Sequence, residues 1–175
     1  MSFDPRPLLV VAVFAGAGAT LKLADHLGER EQSLQAYVVA ILSGALLGAL
    51  IHVGAEESSY VTGIVLGVAL GGKVNRPNLL AGLLAVALTA LVLGLILPIP
   101  WLVIVVAALS LVDEVGHDRL ASRRDLIGFL FRYRAGLKLG TILLAATTLT
   151  SLTTAIGFLC FDLSYEAASY LISKA

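Results

Sequence analysis

The chain has 175 residues, of which 58% are hydrophobic and 14% are charged, and its 12 basic and 12 acidic residues give a formal net charge of zero. This composition excludes an ordinary soluble domain, and the balanced charge argues against nucleic acid as a partner. Apolar runs recur along the whole length, and several can cross a hydrocarbon layer of about 30 Å, which takes about 20 helical residues. We therefore predict one all-α, multi-pass membrane domain over residues 1–175.

Six transmembrane helices are predicted, and together they would form a single bundle. The apolar runs place them at about 8–27, 34–52, 59–72, 79–97, 101–120 and 137–161. The segment from Arg119 to Arg134 interleaves arginines with large apolar residues, which is typical of an amphipathic helix lying on the membrane surface. Residues 162–175 are predicted to form a short interfacial segment.

The first predicted helix carries a one-sided polar cluster near its end. Four ionisable residues share an arc of about 100° on the helical wheel, namely Lys22, Asp25, His26 and Glu29. A helix that emerges into water would explain Glu29, which lies nearest the end of the helix. Asp25 and His26 lie deeper, and they are candidates for a catalytic acid or base.

The second predicted helix contains Gly44 and Gly48, two small residues spaced four apart. Such a pair lets the backbone of another helix approach closely, either in the same chain or in a second copy. We therefore expect a close helix contact here, and small-residue faces of this kind also allow a homo-oligomer.

The third predicted helix ends in a polar loop that contains Lys73 and Arg76. Two cations and two amides after paired glycines form a candidate phosphate-binding loop, because exposed backbone N–H groups and basic side chains can converge on an anion. The loop fits no phosphate-loop fingerprint. An ordinary loop whose cations fix the orientation in the membrane is the alternative.

A cluster of four ionisable residues directly follows the apolar run of the fifth predicted helix. On a continuous helix an arc of about 140° contains all four, namely Asp113, Glu114, His117 and Asp118. Carboxylates and one imidazole suit Mg²⁺, with Mn²⁺ or Zn²⁺ as alternatives, and spacings of three and four residues let neighbours share one ion. We predict a divalent metal site in this cluster.

Two further cations, Arg134 and Lys138, lie one helical turn apart at the start of the last predicted span. They can reach toward the acidic cluster and bind phosphate there, or they can extend to lipid phosphates at the membrane surface. The sequence leaves both roles open.

The distribution of the basic residues predicts the orientation in the membrane. With six crossings, ten of the twelve Lys and Arg residues lie on one side, and Arg6 and Lys174 lie on the other. The positive-inside rule makes the first side cytoplasmic. The expected location is the cell membrane, with both termini on the non-cytoplasmic side and every polar cluster on the cytoplasmic face, where three loops can form one pocket.

These clusters favour a metal-dependent membrane enzyme, a transferase or hydrolase, that acts on a lipid-linked phosphate or diphosphate at the cytoplasmic leaflet. The acidic cluster of the fifth helix would hold the ion, and Asp25 or His26 would be the acid or base. Four cations would neutralise the phosphate, namely Lys73, Arg76, Arg134 and Lys138. The expected partners are membrane lipids and this anionic substrate.

Two other functions fit the same sequence. A small transporter or channel would use the glycine-rich second and third helices, although no carboxylate lies near the middle of a predicted span, where transport sites concentrate. A non-catalytic membrane subunit would use its charges only as anchors. Metal bound by the purified protein would favour the enzyme, and solute flux into vesicles would favour the transporter.

Overall fold

The computed structural model describes residues 5–174, which form eight helices and no strand. The helices are α1 (Arg6–Arg30), α2 (Leu34–Ile51), α3 (Ala55–Leu70), α4 (Pro77–Leu93), α5 (Pro100–Leu120), α6 (Leu126–Arg132), α7 (Ala135–Ala146) and α8 (Leu152–Lys174). Four of them, α1, α2, α5 and α8, are long and apolar enough to cross a membrane, and this supports membrane association. The all-α class is confirmed for the described residues, whereas the six-helix bundle is not confirmed.

Proline and serine fix several helix starts. A proline lies in the first turn of α1, α4 and α5, where its fixed φ suits a helix and its missing N–H costs no hydrogen bond. Ser33 caps α2, since its side chain accepts a hydrogen bond from Ala36 N at 3.3 Å. These local signals explain why α1, α2, α4 and α5 begin within a few residues of the predicted positions.

The long helices run in two directions. α3 and α5 are parallel, because Gly63 packs against Val106, and Gly67 packs against Ser110 one turn further along both helices. α2 and α4 are parallel to each other, because Gly44 packs against Gly82 and Gly48 packs against Val86 one turn further along both helices. Both run in the direction opposite to α3 and α5. We call the end of the bundle where α1, α3 and α5 finish the charged end.

The predicted last span over 137–161 is wrong as one helix, because the chain breaks between α7 and α8. Thr147 Oγ1 donates a hydrogen bond back to Leu143 O at 2.8 Å, and Thr148 has a left-handed φ of 58°. Ser151 Oγ then accepts from Thr154 N at 3.2 Å, which starts a new helix. Residues after 161 continue in α8 as far as Lys174 and do not form the separate interfacial segment we expected.

The break reverses the direction of the final helix. Gly157 packs against Phe14, and Gly18 packs against Phe161, so α8 runs parallel to α1 and ends at the charged end. Arg6 and Lys174, at the outer ends of α1 and α8, therefore lie at opposite ends of the bundle, and the expectation that both termini share one side of the membrane is not supported. Lys174 joins the other cations, so eleven of the twelve Lys and Arg residues lie at the charged end.

The predicted close helix contact at Gly44 and Gly48 is confirmed, and its partner is α4. A Cβ at Gly48 would lie 2.6 Å from Val86 O, and a Cβ at Gly44 would overlap Gly82 O. Backbones can approach this closely only because the side chains are absent. These glycines are used for packing within the chain, and the homo-oligomer stays a prediction.

The amphipathic segment between α5 and α7 contains one short helix, α6. Asp125 caps it by accepting a hydrogen bond from Gly128 N at 2.9 Å. Leu126 and Phe129 are largely exposed, which agrees with a helix that lies at a surface. The helix is shorter than the predicted segment, because residues 121–125 form a turn.

Candidate functional site

A cavity of about 450 Å³ lies between the helices at the charged end. Its volume falls in the range of about 300–1,000 Å³ that is usual for small-molecule sites. Charged side chains from five parts of the chain surround its mouth, namely Lys22, Asp25, Glu29, Lys73, Arg76, Asp113, Glu114, Asp118, Arg134 and Asp162. The cavity therefore collects polar groups that lie far apart in the sequence.

The deeper part of the cavity is apolar. Leu47 and Val86 line it from α2 and α4, and Phe158 lines it from α8. Leu47 lies about 20 Å along α2 from the start of that helix, at a rise of about 1.5 Å per residue. A charged mouth above a long apolar interior is suited to an amphiphile, whose head and tail need different surroundings.

Most of the residues proposed from the sequence line this cavity. They are Asp25, Lys73, Arg76, Asp113, Glu114, His117, Asp118 and Arg134. His26 does not line it, and the His26 side chain makes no hydrogen bond or ion pair with any described residue. Lys138 lies behind the wall, where its Nζ is 2.9 Å from Asp162 Oδ2 and 2.6 Å from Glu166 Oε1. The clusters of α1 and α5 thus share one cavity, without His26.

The loop between α3 and α4 is fastened to α1 by its arginine. Arg76 Nη1 donates to Asp25 Oδ1 at 2.8 Å, and its Nη2 donates to Glu29 Oε1 at 3.0 Å. Lys22 Nζ lies 3.3 Å from the other oxygen of Asp25. The planar guanidinium reaches two carboxylates one helical turn apart, which a lysine cannot copy. The predicted anion-binding loop is therefore already neutralised in this structure.

Asn78, one of the two amides of the predicted anion-binding loop, holds this loop in place, a role that the sequence did not predict. It is completely buried, and its Nδ2 donates to Ala24 O at 2.8 Å. Gln32 accepts from Asn78 N at 3.2 Å. In the sequence, the only sign of this role is that Asn78 is a polar residue directly after Pro77, in the first turn of α4. The fold then shows that α1 lies beside Asn78.

Asp113 serves as the cap of α7. Its two carboxylate oxygens accept hydrogen bonds from Gly136 N at 3.0 Å and Leu137 N at 2.7 Å, and the residue is only 3% exposed. A carboxylate at a helix N-terminus satisfies unpaired N–H groups and interacts favourably with the helix dipole. Both oxygens of this predicted metal ligand are thus occupied by backbone donors.

The other predicted metal ligands have separate partners. Glu114 Oε2 accepts from Arg134 at 3.2 Å, and His117 Nδ1 lies 3.1 Å from Phe131 O. Asp118 accepts from Lys73 Nζ at 2.6 and 2.7 Å. Within residues 5–174, no group of three or more His, Cys, Asp or Glu side chains is arranged to hold a metal ion. The metal site stays a prediction.

Arg134 connects the acidic cluster to α8. Its guanidinium lies 5.7 Å from the ring centre of Tyr165, a residue that the sequence analysis assigned only to an interfacial segment. Burial lowers the pKa of Arg134, but Glu114 and then Tyr165 outweigh this effect, so the pKa is raised and the group stays charged. Its buried Nε has no hydrogen-bond partner among the described residues. Arg134 therefore joins Glu114 of α5 to Tyr165 of α8 at the wall of the cavity.

The balance of charge around the cavity is negative. Six carboxylates and four cations line it, and each of those four cations already pairs with a carboxylate. An anionic ligand that enters alone would meet the two carboxylates in excess, and repulsion in a partly dry site is strong. A cation, or an anion accompanied by one, is favoured.

Fold and cavity together define the class: an all-helical, membrane-associated protein with an amphiphilic cavity at one end of the bundle. No family model, curated protein sequence or solved structure matches the chain. The geometry of the cavity is therefore the basis on which we infer a function.

Proposed function

We propose that this protein is a membrane enzyme that binds a lipid-linked phosphate or diphosphate together with a divalent cation and transfers or hydrolyses the phosphate group. The observation that carries the proposal is the form of the cavity, with an apolar interior between the helices and charged side chains of both signs at its mouth. The lipid chain would occupy the interior, and the phosphate would lie at the charged end.

The excess of carboxylates supports a role for the cation. We propose that Mg²⁺ binds Glu114, His117 and Asp118, and that Asp113 continues to cap α7. The ion would replace Arg134 at Glu114 and Lys73 at Asp118, so both cations would become free to bind the phosphate. This exchange of partners explains why a site for an anion contains more negative than positive side chains.

The chemistry follows from these roles. A divalent ion bound to phosphate oxygens neutralises charge that develops during transfer. Arg134 and Lys73 would orient the phosphate, and Arg76 would hold Asp25 in the wall of the cavity. Asp25 is the member of the predicted acid–base pair that reaches the cavity, so we assign proton transfer to it in place of His26.

The same proposal includes an orientation in the cell membrane. We propose that seven helices cross the membrane: the four that are long and apolar enough to do so, α1, α2, α5 and α8, and the shorter α3, α4 and α7. With eleven cations at the charged end, the positive-inside rule makes that end cytoplasmic. The C-terminus would then be cytoplasmic and the N-terminus non-cytoplasmic.

Binding of a short polyprenyl phosphate to the full-length protein in detergent tests the proposal. We expect binding with Mg²⁺ and at least a tenfold loss in EDTA, because the carboxylates in excess then repel the phosphate. The matching polyprenol, which lacks phosphate, is the control for the lipid chain. Equal binding of alcohol and phosphate, or binding that does not depend on the divalent ion, would contradict the proposed head-group site.

Mn²⁺ replaces Mg²⁺ in a second measurement, since its electron paramagnetic resonance signal reports binding directly. Asp118→Asn should weaken Mn²⁺ binding, whereas Glu31→Gln, a change at an exposed carboxylate outside the cavity, should not. Asp118 is half exposed, so its substitution leaves the packing intact. Release of inorganic phosphate from the lipid phosphate then measures hydrolysis.

A further inference from the structure

Among the four cations that line the cavity, Lys22 is the one to which the proposed function gives no role. It lies on α1, one turn before Asp25, and its side chain is only 19% exposed. A cation that has lost most of its contact with water needs groups of opposite charge nearby. The contacts of Lys22 indicate which anion can supply that charge when the cavity is occupied.

Asp25, the carboxylate beside Lys22, has a closer partner. Arg76 Nη1 donates to Asp25 Oδ1 at 2.8 Å, whereas Lys22 Nζ lies 3.3 Å from Asp25 Oδ2. Hydrogen bonds between oppositely charged groups are usually about 2.7–2.9 Å long, so the contact with Lys22 is the weaker of the two. Lys22 can therefore leave Asp25 without leaving that carboxylate unpaired.

Arg134 is paired as loosely as Lys22. Its Nη2 lies 3.2 Å from Glu114 Oε2, whereas Lys73 and Arg76 hold their carboxylates at distances between 2.6 and 3.0 Å. In the proposed function Mg²⁺ binds Glu114, and this releases Arg134. The two cations with the longest ion-pair contacts at the cavity are therefore the two that can most easily turn to a ligand.

Both cations contact one aromatic ring, that of Tyr165 on α8. Lys22 Nζ lies 5.3 Å from the ring centre, and the Arg134 guanidinium lies 5.7 Å from it. All three side chains line the cavity. The ring attracts each cation, but two positive charges that share one ring also repel each other. Asp162, one turn earlier on α8, pairs with Lys138 at 2.9 Å. An anion between Lys22 and Arg134 would relieve this repulsion.

We propose that Lys22 and Arg134 hold the phosphate of the lipid between them, beside the ring of Tyr165. The assignment rests on the proposed function and adds to it a phosphate site built from α1, α8 and the residue before α7. The Lys22 ammonium has three donors, and the Arg134 guanidinium is a planar fork that can hold two phosphate oxygens. Tyr165 is a positioning residue, because its ring keeps both cations at the cavity wall.

Calorimetric titration of the full-length protein in detergent, with Mg²⁺ present, tests this site. The probes are farnesyl phosphate and farnesol, which share the apolar chain. Lys22→Gln should lose about ten- to a hundredfold of the wild-type preference for the phosphate over the alcohol. A loss that came only from disturbed packing would weaken the binding of both probes. Arg30→Gln, at an exposed cation of α1 outside the cavity, should keep the preference.

The same titrations distinguish a failure of this site from a failure of the proposed function. If the wild-type protein binds farnesyl phosphate and farnesol equally, the proposed function fails. If the wild type prefers the phosphate and Lys22→Gln prefers it as strongly, only the site at Lys22 is overturned. Tyr165→Phe keeps the ring and Tyr165→Leu removes it, so the preference for the phosphate should be stronger in Tyr165→Phe. Equal preference in these two variants would contradict the positioning role.

Acetylation of lysines in the wild-type protein gives a second readout, which needs no variant to fold. Mass spectrometry measures how fast Lys22 reacts with an acetylating reagent. Farnesyl phosphate with Mg²⁺ should slow this reaction about tenfold more than farnesol does, because only the phosphate binds the ammonium. Lys174, which is exposed and outside the cavity, should react equally under both conditions. Equal protection of Lys22 by the phosphate and by the alcohol overturns the inference.

Discussion

Arg134 is the most constrained cation at the cavity. It has a left-handed φ of 48°, directly precedes α7 and contacts both Glu114 and Tyr165. Non-glycine residues adopt this conformation only where the surroundings hold them in it. The hydrogen bonds from Gly136 N and Leu137 N to Asp113 fix the backbone that follows. The position of the guanidinium is thus set by α5 and α7 together.

Arg134→Lys tests whether this geometry serves phosphate binding. A lysine keeps the charge but loses the planar fork, and a charge-assisted hydrogen bond contributes about 1.5–3 kcal/mol. We expect affinity for the polyprenyl phosphate to fall by about ten- to a hundredfold, measured by calorimetric titration with Mg²⁺ present. Arg124→Lys, at an exposed arginine outside the cavity, is the matched control. Equal affinity in both variants would make Arg134 a membrane anchor only.

Gly136→Ala tests the clamp formed by Asp113. A Cβ at this position would lie 2.6 Å from Asp113 Oδ1, and that oxygen cannot move without losing its backbone donors. We expect a loss of about 1–3 kcal/mol in the free energy of unfolding, measured by denaturant titration. Gly16→Ala is the control, since its nearest neighbour, Leu46 Cδ1, is 3.5 Å away. A similar effect of the two substitutions would contradict the clamp.

At the residue scale, the sequence predicted which charges lie together but not what they contact. Helical spacing placed the ionisable groups of α1 and α5 on one face each, and all of these groups except His26 line the cavity. The partners of Asp113 could not be predicted, because they are backbone N–H groups of a helix that the sequence did not separate from α8. Asp162 and Tyr165 were missed for the same reason.

Among the elements, α6 shows how one side chain controls a short helix. The hydrogen bond from Gly128 N and the ion pair with Arg123 lower the pKa of Asp125 below its ordinary value. A group with a lowered pKa stabilises the folded state above its ordinary range, and this contribution is lost as the pH falls through the lowered pKa. The cap of α6 should therefore persist into mildly acidic solution.

The amide signal of Gly128 in a nuclear magnetic resonance titration measures this dependence. We expect its shift to change at a pH below about 3.9, the value for an unperturbed aspartate. Arg123→Gln should move the midpoint upward, because it removes the ion pair and keeps the backbone hydrogen bond. A midpoint at the ordinary value in the unmodified protein would show that Asp125 does not cap α6.

The sequence predicted one helix where the structure has two, α7 and α8. Hydropathy alone favoured one helix, because the threonines around the break do not interrupt the apolar run. The relevant signal was Ser151, because serine is a preferred residue directly before a helix start. Loops with proline or glycine were located well, since those residues constrain the backbone directly.

For the whole molecule, the parallel packing of α1 and α8 determines where the chain ends lie. Cysteine labelling in intact cells measures on which side of the membrane each helix ends. Single cysteines are introduced one at a time into the Cys160→Ala variant, which has no other cysteine. Thr148→Cys should react with an impermeant maleimide, whereas Glu31→Cys and Ser173→Cys should be protected, because both lie at the charged end. Labelling of Ser173→Cys together with protection of Glu31→Cys would contradict parallel α1 and α8 across the membrane.

The contact between α1 and α8 also has a consequence for biosynthesis. α1 packs more extensively against α8 than against any other helix, although α8 is the last of the eight helices to leave the ribosome. We therefore expect α1 to remain without its main neighbour until α8 has been synthesised. Phe158, Asp162 and Tyr165, which complete the cavity wall, arrive at the same moment. A nascent chain released before α8 is made has no finished cavity, so under the proposed function we expect it not to bind the lipid phosphate.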